Sequence, residues 1–196
     1  MSKLMKEIQQ IPSPVFSRLD LQKVSQLKET SLKVALSRAI KSGDVLRLAN
    51  GFYATSVYQI SWEQLAVSIY GPGYVSFESA LGYYNILNQQ SAELTVATTR
   101  RGKTISIRNQ NIFYRHIRED LFWGYIQKEK FLLAEPEKAF LDLAYLSLNG
   151  YAYFDPEEMN LALLNTKKIK TYLIRFKSTK LKKLINNLMI EKGLLK

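Results

Sequence analysis

The stretch "TSLKVALSRAIKSGDVLRLANGFYAT", residues 30–55, decides how the chain begins. Leu32, Ala35, Leu36, Ala39 and Ile40 recur at i, i+3, i+4, i+7 and i+8, the pattern of a helix with one buried face. At 100° per residue the opposite face carries Thr30, Val34, Ser37, Arg38 and Lys41, with Ser31 and Lys33 beside it. Gly43 suits the left-handed position that closes a helix. Directly after it, "VLRLANGFYA" reads as two short strands joined by Asn50-Gly51. That pair is preferred in a tight type I′ turn, because both positions need positive φ.

Upstream, Leu4, Ile8 and Ile11 are helically spaced, and Pro12 and Pro14 end that segment. Asp20 is a candidate N-cap for "LQKVSQL", where Leu21, Val24 and Leu27 share a face. Helix, short helix, third helix and two-stranded wing is the order of a winged helix-turn-helix, expected over residues 1–55. The third helix has a size that fits a major groove, with its polar face outward. The expected DNA-reading residues are Ser31, Lys33, Ser37, Arg38 and Lys41, with Thr30, Arg47 and Asn50 near the phosphate backbone. A winged helix used only for protein contacts is the alternative at this stage.

Charge is unevenly spread. The net charge is +11, and a polyanionic partner follows naturally from it. Residues 1–55 carry +5, residues 56–165 carry −3, and residues 166–196 carry +9. A basic, well-solvated surface without a partner is the plainer explanation. There is no cysteine, which excludes disulfides and thiolate metal sites and favours a reducing cytoplasm. No apolar run approaches the roughly 20 residues that span a bilayer, so no membrane partner is expected. The N-terminal segment lacks the apolar stretch of a signal peptide.

Residues 56–196 read as a second, mixed unit. A helix is expected from Ser61 to Ile69, broken by "GPG" at 71–73. Ser76 is placed to cap another helix from Phe77 to Leu87. "ELTVAT", "TISIR" and "NIFYRHI" alternate as strands and suggest a small antiparallel sheet. Arg100, Arg101, Lys103, Arg108, Arg115 and Arg118 fall within this segment without an acid among them. "RRGK" is expected at a hairpin tip, where Arg100, Arg101 and Lys103 either reach phosphates or are merely solvated. "FLLA" reads as a strand, and Pro136 fits the first turn of the helix that follows. Lys138 and Asp142, one turn apart, read as a local ion pair. In the tail, Ile169, Leu173 and Phe176 are helically spaced. Ser178 caps a last helix with Leu181, Leu184, Ile185, Leu188 and Met189 inward and Lys180, Lys182, Lys183 and Lys192 outward. These lysines extend the expected second basic surface.

The order of the N-terminal pattern, "VSFESALGYYNIL", "LTVATTRRGK", "FYRHI" and "LLAEPEKAFLDLAY" resembles the AbiEi family of antitoxins from abortive-infection, type IV toxin–antitoxin systems. The likeness covers about residues 21–148. It implies a bifunctional protein. A winged helix would bind the promoter of its own operon, with inverted repeats expected there. A C-terminal domain would counter a nucleotidyltransferase-like toxin, without needing a direct complex with it.

Catalytic signals are sparse. His116 is the single histidine, so with no cysteine the usual nitrogen and sulfur metal clusters cannot be built. Glu135, Glu137 and Asp142 come closest to a nuclease-like acidic group, but Pro136 breaks the usual acid-x-Lys form. No phosphate-binding glycine loop or dinucleotide fingerprint occurs. The expectation is an α+β protein, a winged helix-turn-helix over 1–55 followed by a mixed domain over 56–196 with helices around a small antiparallel sheet. It is expected to act as an antitoxin and autorepressor without enzymatic activity, cofactor or metal. A nuclease, or an RNA-binding module using the C-terminal basic surfaces, is the alternative.

Overall fold

The computed structural model describes residues 2–49, 51–55, 61–88, 93–107 and 109–193. The N-terminal segment forms helix α1 (Lys3–Ile8), strand β1 (Val15–Ser17), helices α2 (Arg18–Val24) and α3 (Glu29–Lys41), and strands β2 (Leu46–Ala49) and β3 (Phe52–Ala54). Leu32, Leu36 and Ala39 of α3 are buried, while Ala35 and Ile40 are half-buried, as the spacing requires. Gly43 follows α3 with φ 82°. Strands β2 and β3 pair antiparallel with Ala49 opposite Phe52, so two residues connect them, and Gly51 takes φ 81°. Asn50, the other half of the expected turn, lies outside the described residues.

Two local expectations are corrected. Asp20 is not the N-cap of α2. Ser17 is, and the two residues form a reciprocal box. The Ser17 hydroxyl accepts from the Asp20 backbone N–H at 3.1 Å, and the Asp20 carboxylate accepts from the Ser17 backbone N–H at 2.8 Å. Two orphan donors are satisfied where a lone cap would satisfy one, so the helix starts earlier. The second correction is β1, a strand that the prolines before it disguise. It pairs with β3, giving the order β1-β3-β2.

That small sheet is covered on both sides. Phe16 and Tyr53 join Leu4, Ile8, Leu21, Leu32, Leu36, Ala39 and Val45 in an N-terminal core. Val15, Leu48 and Ala54 point the other way, into the larger core of the rest of the chain. Period-two alternation along each strand assigns neighbours to different cores.

The remainder forms α4 (Trp62–Ile69), β4 (Gly73–Val75), α5 (Phe77–Tyr83), β5 (Leu94–Thr98), β6 (Lys103–Ile107), β7 (Gln110–His116), β8 (Tyr125–Lys128), β9 (Phe131–Ala134), α6 (Pro136–Ser147), α7 (Thr166–Arg175) and α8 (Thr179–Glu191). Ser61 caps α4 and Ser178 caps α8 through their hydroxyls. Helix α5 ends four residues before its expected end. Asn85 takes φ 56°, and the Ile86 backbone N–H turns back to the Leu81 carbonyl. Asn tolerates this left-handed position better than most residues, so it stops the helix.

The sheet is neither small nor purely antiparallel. Six strands lie in the order β6-β7-β5-β4-β9-β8, with β5–β7 and β4–β9 parallel. The cause is that β6 folds back on β7 rather than on β5, so β7 slots between them. Strand β4 shows no alternation because Gly73, Tyr74 and Val75 are all buried.

Candidate functional site

The polar side of α3 is open. Thr30, Ser31, Lys33, Ser37, Arg38 and Lys41 are all exposed on it, and Arg47 is exposed on β2. A groove of about 380 Å³ runs between α3 and the β2–β3 ribbon. It brings together Lys33, Ser37 and Arg47 and adds Arg18 and Tyr53, with Leu36 and Ile40 on its apolar side. Thr30, Ser31, Arg38 and Lys41 lie on α3 outside the groove lining. Arg18 was not legible as part of this group. It belongs to the first turn of α2, and only the fold, which sets Arg18 beside Glu29 of α3 and ties its backbone N–H to the Gly51 carbonyl, places it there. Glu29 sits between the cations, 3.2 Å from Lys33 Nζ and 3.8 Å from an Arg18 Nη. Three cations and a hydroxyl around a shallow groove can offer several charge-assisted donors to one anionic chain.

The second expected basic surface is broken up by the fold. Arg100 and Arg101 do not sit at a hairpin tip, because β5 and β6 are not neighbours. Their loop passes the end of β7 instead. Arg100 donates to the Gly71 carbonyl at 3.2 Å, and its guanidinium carbon lies 4.9 Å from the centre of the Tyr70 ring. Lys103 Nζ lies 3.7 Å from the same ring centre. Both cations are thus laid against Tyr70, whose hydroxyl donates to the Arg101 carbonyl at 3.1 Å. Arg101 lines a separate cleft of about 820 Å³ with His116, Arg118, Tyr145 and Tyr151. Lys180 and Lys183 are exposed on α8 and Lys182 is half-buried, and none of them lines either depression. Lys192 is paired with Glu157 at 2.5 Å. Arg108 lies outside the described residues.

The acidic residues are absorbed by structure. Lys138 and Asp142 are an ion pair, as their spacing suggests, but a wholly buried one. Asp142 also accepts from the Tyr74 hydroxyl at 2.9 Å and the Ser76 hydroxyl at 3.0 Å, and Lys138 donates to the Tyr74 oxygen at 2.8 Å. Burial pushes the Asp142 carboxyl up and the Lys138 ammonium down, against their mutual attraction. Ser76 therefore spends its hydroxyl on Asp142, not on capping α5. A serine, lysine, aspartate and tyrosine in contact could do acid–base chemistry, but none is more than 1% exposed, so substrate has no access.

Glu135 is tied to Lys168 at 2.7 Å and to the Tyr172 hydroxyl. Burial raises the Glu135 carboxyl, but the hydrogen bonds from Lys168 and Tyr172 outweigh it and hold the group below its ordinary value. Glu137 accepts from the Asn165 backbone N–H at 3.0 Å, at the start of α7. Nδ1 of His116 must carry its proton, since its partner at 3.0 Å is the Arg100 carbonyl, which only accepts. Among the described residues no group of three or more His, Asp or Glu could hold a metal ion, and no helix is long and apolar enough to cross a membrane.

No protein-family model and no curated protein matches this chain.

Proposed function

We propose that this protein is a cytoplasmic, winged-helix DNA-binding repressor of its own operon, and an antitoxin of the AbiEi kind. The observation that carries the reading is the open face of α3. Six polar or basic side chains stand exposed on it, and a groove beside it gathers Lys33, Ser37, Arg47 and Arg18 next to the β2–β3 edge of the small three-stranded sheet. Helix α3 has 13 residues, about 20 Å of rod, enough to cross a major groove. Arg38 and Lys41 would reach base edges, and Arg18, Lys33 and Arg47 would hold phosphates.

The antitoxin half of the proposal rests on the ordered likeness of residues 21–148 to that family. The counterpart is a nucleotidyltransferase-like toxin, opposed without an obligatory complex. No catalytic role is assigned, because the chemically competent cluster around Asp142 is sealed inside the core.

The deciding experiment is a gel-shift titration of the full chain on its own promoter against scrambled duplex of equal length. Preference for the promoter that collapses in Arg38→Ala and Lys41→Ala is the expected result. Equal affinity for both duplexes, or metal-dependent cleavage of the labelled fragment, would overturn the reading.

A further inference from the structure

The geometry points to the cleft between the Arg101 loop, the end of β7 and the C-terminal end of α6 as a binding site for a nucleoside phosphate. Its volume, about 820 Å³, is within the range of small-molecule sites, roughly 300–1,000 Å³, and exceeds what a bare inorganic anion fills. Arg101, Arg115, His116 and Arg118 line it, and no carboxylate does.

These cations are not equivalent. Arg115 is spent on Glu78, with its guanidinium 2.8 and 2.9 Å from the two carboxylate oxygens. The Arg101 guanidinium makes no hydrogen bond or ion pair among the described residues, so it can take up an anion without losing a partner. His116 donates Nδ1–H to the Arg100 carbonyl, which leaves Nε2 as an acceptor, suited to a ribose hydroxyl rather than to a phosphate oxygen. Arg118 is oriented by Asp120 through contacts of 2.9 and 2.6 Å, and more than half of its side chain stays exposed. The Arg101 fork, with the part of the Arg118 guanidinium that Asp120 leaves open, matches the several oxygens of a phosphate.

The opposite wall suits a base. Tyr151 is 74% exposed and has no ring partner among the described residues, while Tyr145 is half-buried deeper in the same cleft. An exposed tyrosine ring gains contact area when a base stacks on it. Asn149 donates its amide to the Tyr145 carbonyl at 3.2 Å, leaving its side-chain oxygen to accept from an amino group on the base. A phosphate with a planar base attached is the ligand that uses both walls. It can be a free nucleotide or the terminal nucleotide of an RNA strand. The inference is independent of the operator reading, since none of these residues borders the α3 groove.

The test is isothermal titration of the full chain with AMP, adenosine and inorganic phosphate, alongside a 5′-phosphorylated RNA trinucleotide. AMP is expected to bind at least about tenfold more tightly than adenosine or inorganic phosphate. Arg101→Ala should weaken AMP and phosphate alike by about tenfold. Tyr151→Ala should weaken AMP by about tenfold and leave phosphate unchanged. Both side chains are exposed, so melting temperatures should match wild type, and Lys180→Ala on α8 should change nothing. Tighter binding of the trinucleotide than of AMP assigns the site to a strand end, and equal or weaker binding assigns it to the free nucleotide. No AMP binding up to about 1 mM, or AMP binding indifferent to both Arg101→Ala and Tyr151→Ala, overturns the inference.

Discussion

Helices α3 and α6 each carry a lysine and an acid at i, i+4, and the two pairs have opposite fates. Glu29 and Lys33 sit on α3 at 3.2 Å, each with just over half its side chain exposed. Lys138 and Asp142 sit on α6 with essentially no exposure. The spacing is the same, but the surroundings differ. Helix α3 buries one stripe, whereas every residue of α6 from Glu137 to Ala144 is buried, with α5 and α7 packed against the helix and Tyr74 of β4 bonded to it. The exposed pair is screened by water and costs little to break, so its lysine can exchange Glu29 for another anion. The buried pair has lost its hydration; Asp142 is held by Lys138, Tyr74 and Ser76, and Lys138 by Asp142, the Tyr74 oxygen and the Trp123 ring, whose centre lies 4.9 Å from Nζ. Charge is offered to partners at α3 and consumed as structure at α6.

The comparison breaks most visibly at Asp142. Asp142→Ala should cost about 3–5 kcal/mol in urea unfolding, because Lys138 is left charged and unpaired in the core. The joint replacement Lys138→Met with Asp142→Leu should cost clearly less than Asp142→Ala alone. If the single variant unfolds within about 1 kcal/mol of wild type, the buried pair does not hold the core together.

At α3 the effect should appear in binding instead. Arg38→Ala or Lys41→Ala should lose roughly 1–3 kcal/mol of promoter affinity if either contacts a base edge, with unfolding midpoints unchanged. A shifted midpoint with retained promoter preference would place these residues in structure rather than recognition.

A smaller effect concerns the start of α2. Partial burial raises the Asp20 carboxyl, but the Ser17 backbone and hydroxyl donors and the nearby Lys23 outweigh it and hold it below its ordinary value. A depressed folded pKa means stabilisation that is present above the unfolded value of about 4 and lost as pH falls through the folded one. Ser17→Ala should cost about 0.5–2 kcal/mol at pH 7. The gap from wild type should narrow below about pH 4, as Asp20 protonates. A gap independent of pH would mean that the bond from the Ser17 hydroxyl to the carboxylate contributes nothing to the cap.

The smallest stability change belongs to Glu29. Glu29→Gln should alter unfolding by no more than about 0.5 kcal/mol, since both its ion pairs are exposed. Promoter binding should nevertheless tighten, because Arg18 and Lys33 lose the carboxylate that competes with phosphate. Unchanged or weaker binding would show that Glu29 orients these cations for the duplex.

What the sequence determined by itself was local. The buried stripe of α3, Gly43 and Gly51 at positive φ, and the Ser61 and Ser178 caps all depend on residues within a turn or two of one another. The exposure of Ser31, Lys33, Ser37, Arg38 and Lys41 followed from the same 3.6-residue period. Tertiary structure alone decided whatever joins distant segments. Strand β1 exists because β3 pairs with it, and β4 is invisible in sequence because both of its faces are covered. The bond from Tyr74 to Asp142 spans 68 residues, so nothing in their neighbourhoods distinguishes this buried pair from the exposed one on α3. The cleft draws Arg101, His116, Arg118 and Tyr151 from the β5–β6 loop, the end of β7, and the turns that follow β7 and α6. Helix periods and caps arise from short-range sterics and hydrogen bonds written in consecutive residues. Burial, parallel pairing and convergent side chains arise from which surfaces exclude water together, and that is settled only when the whole chain packs.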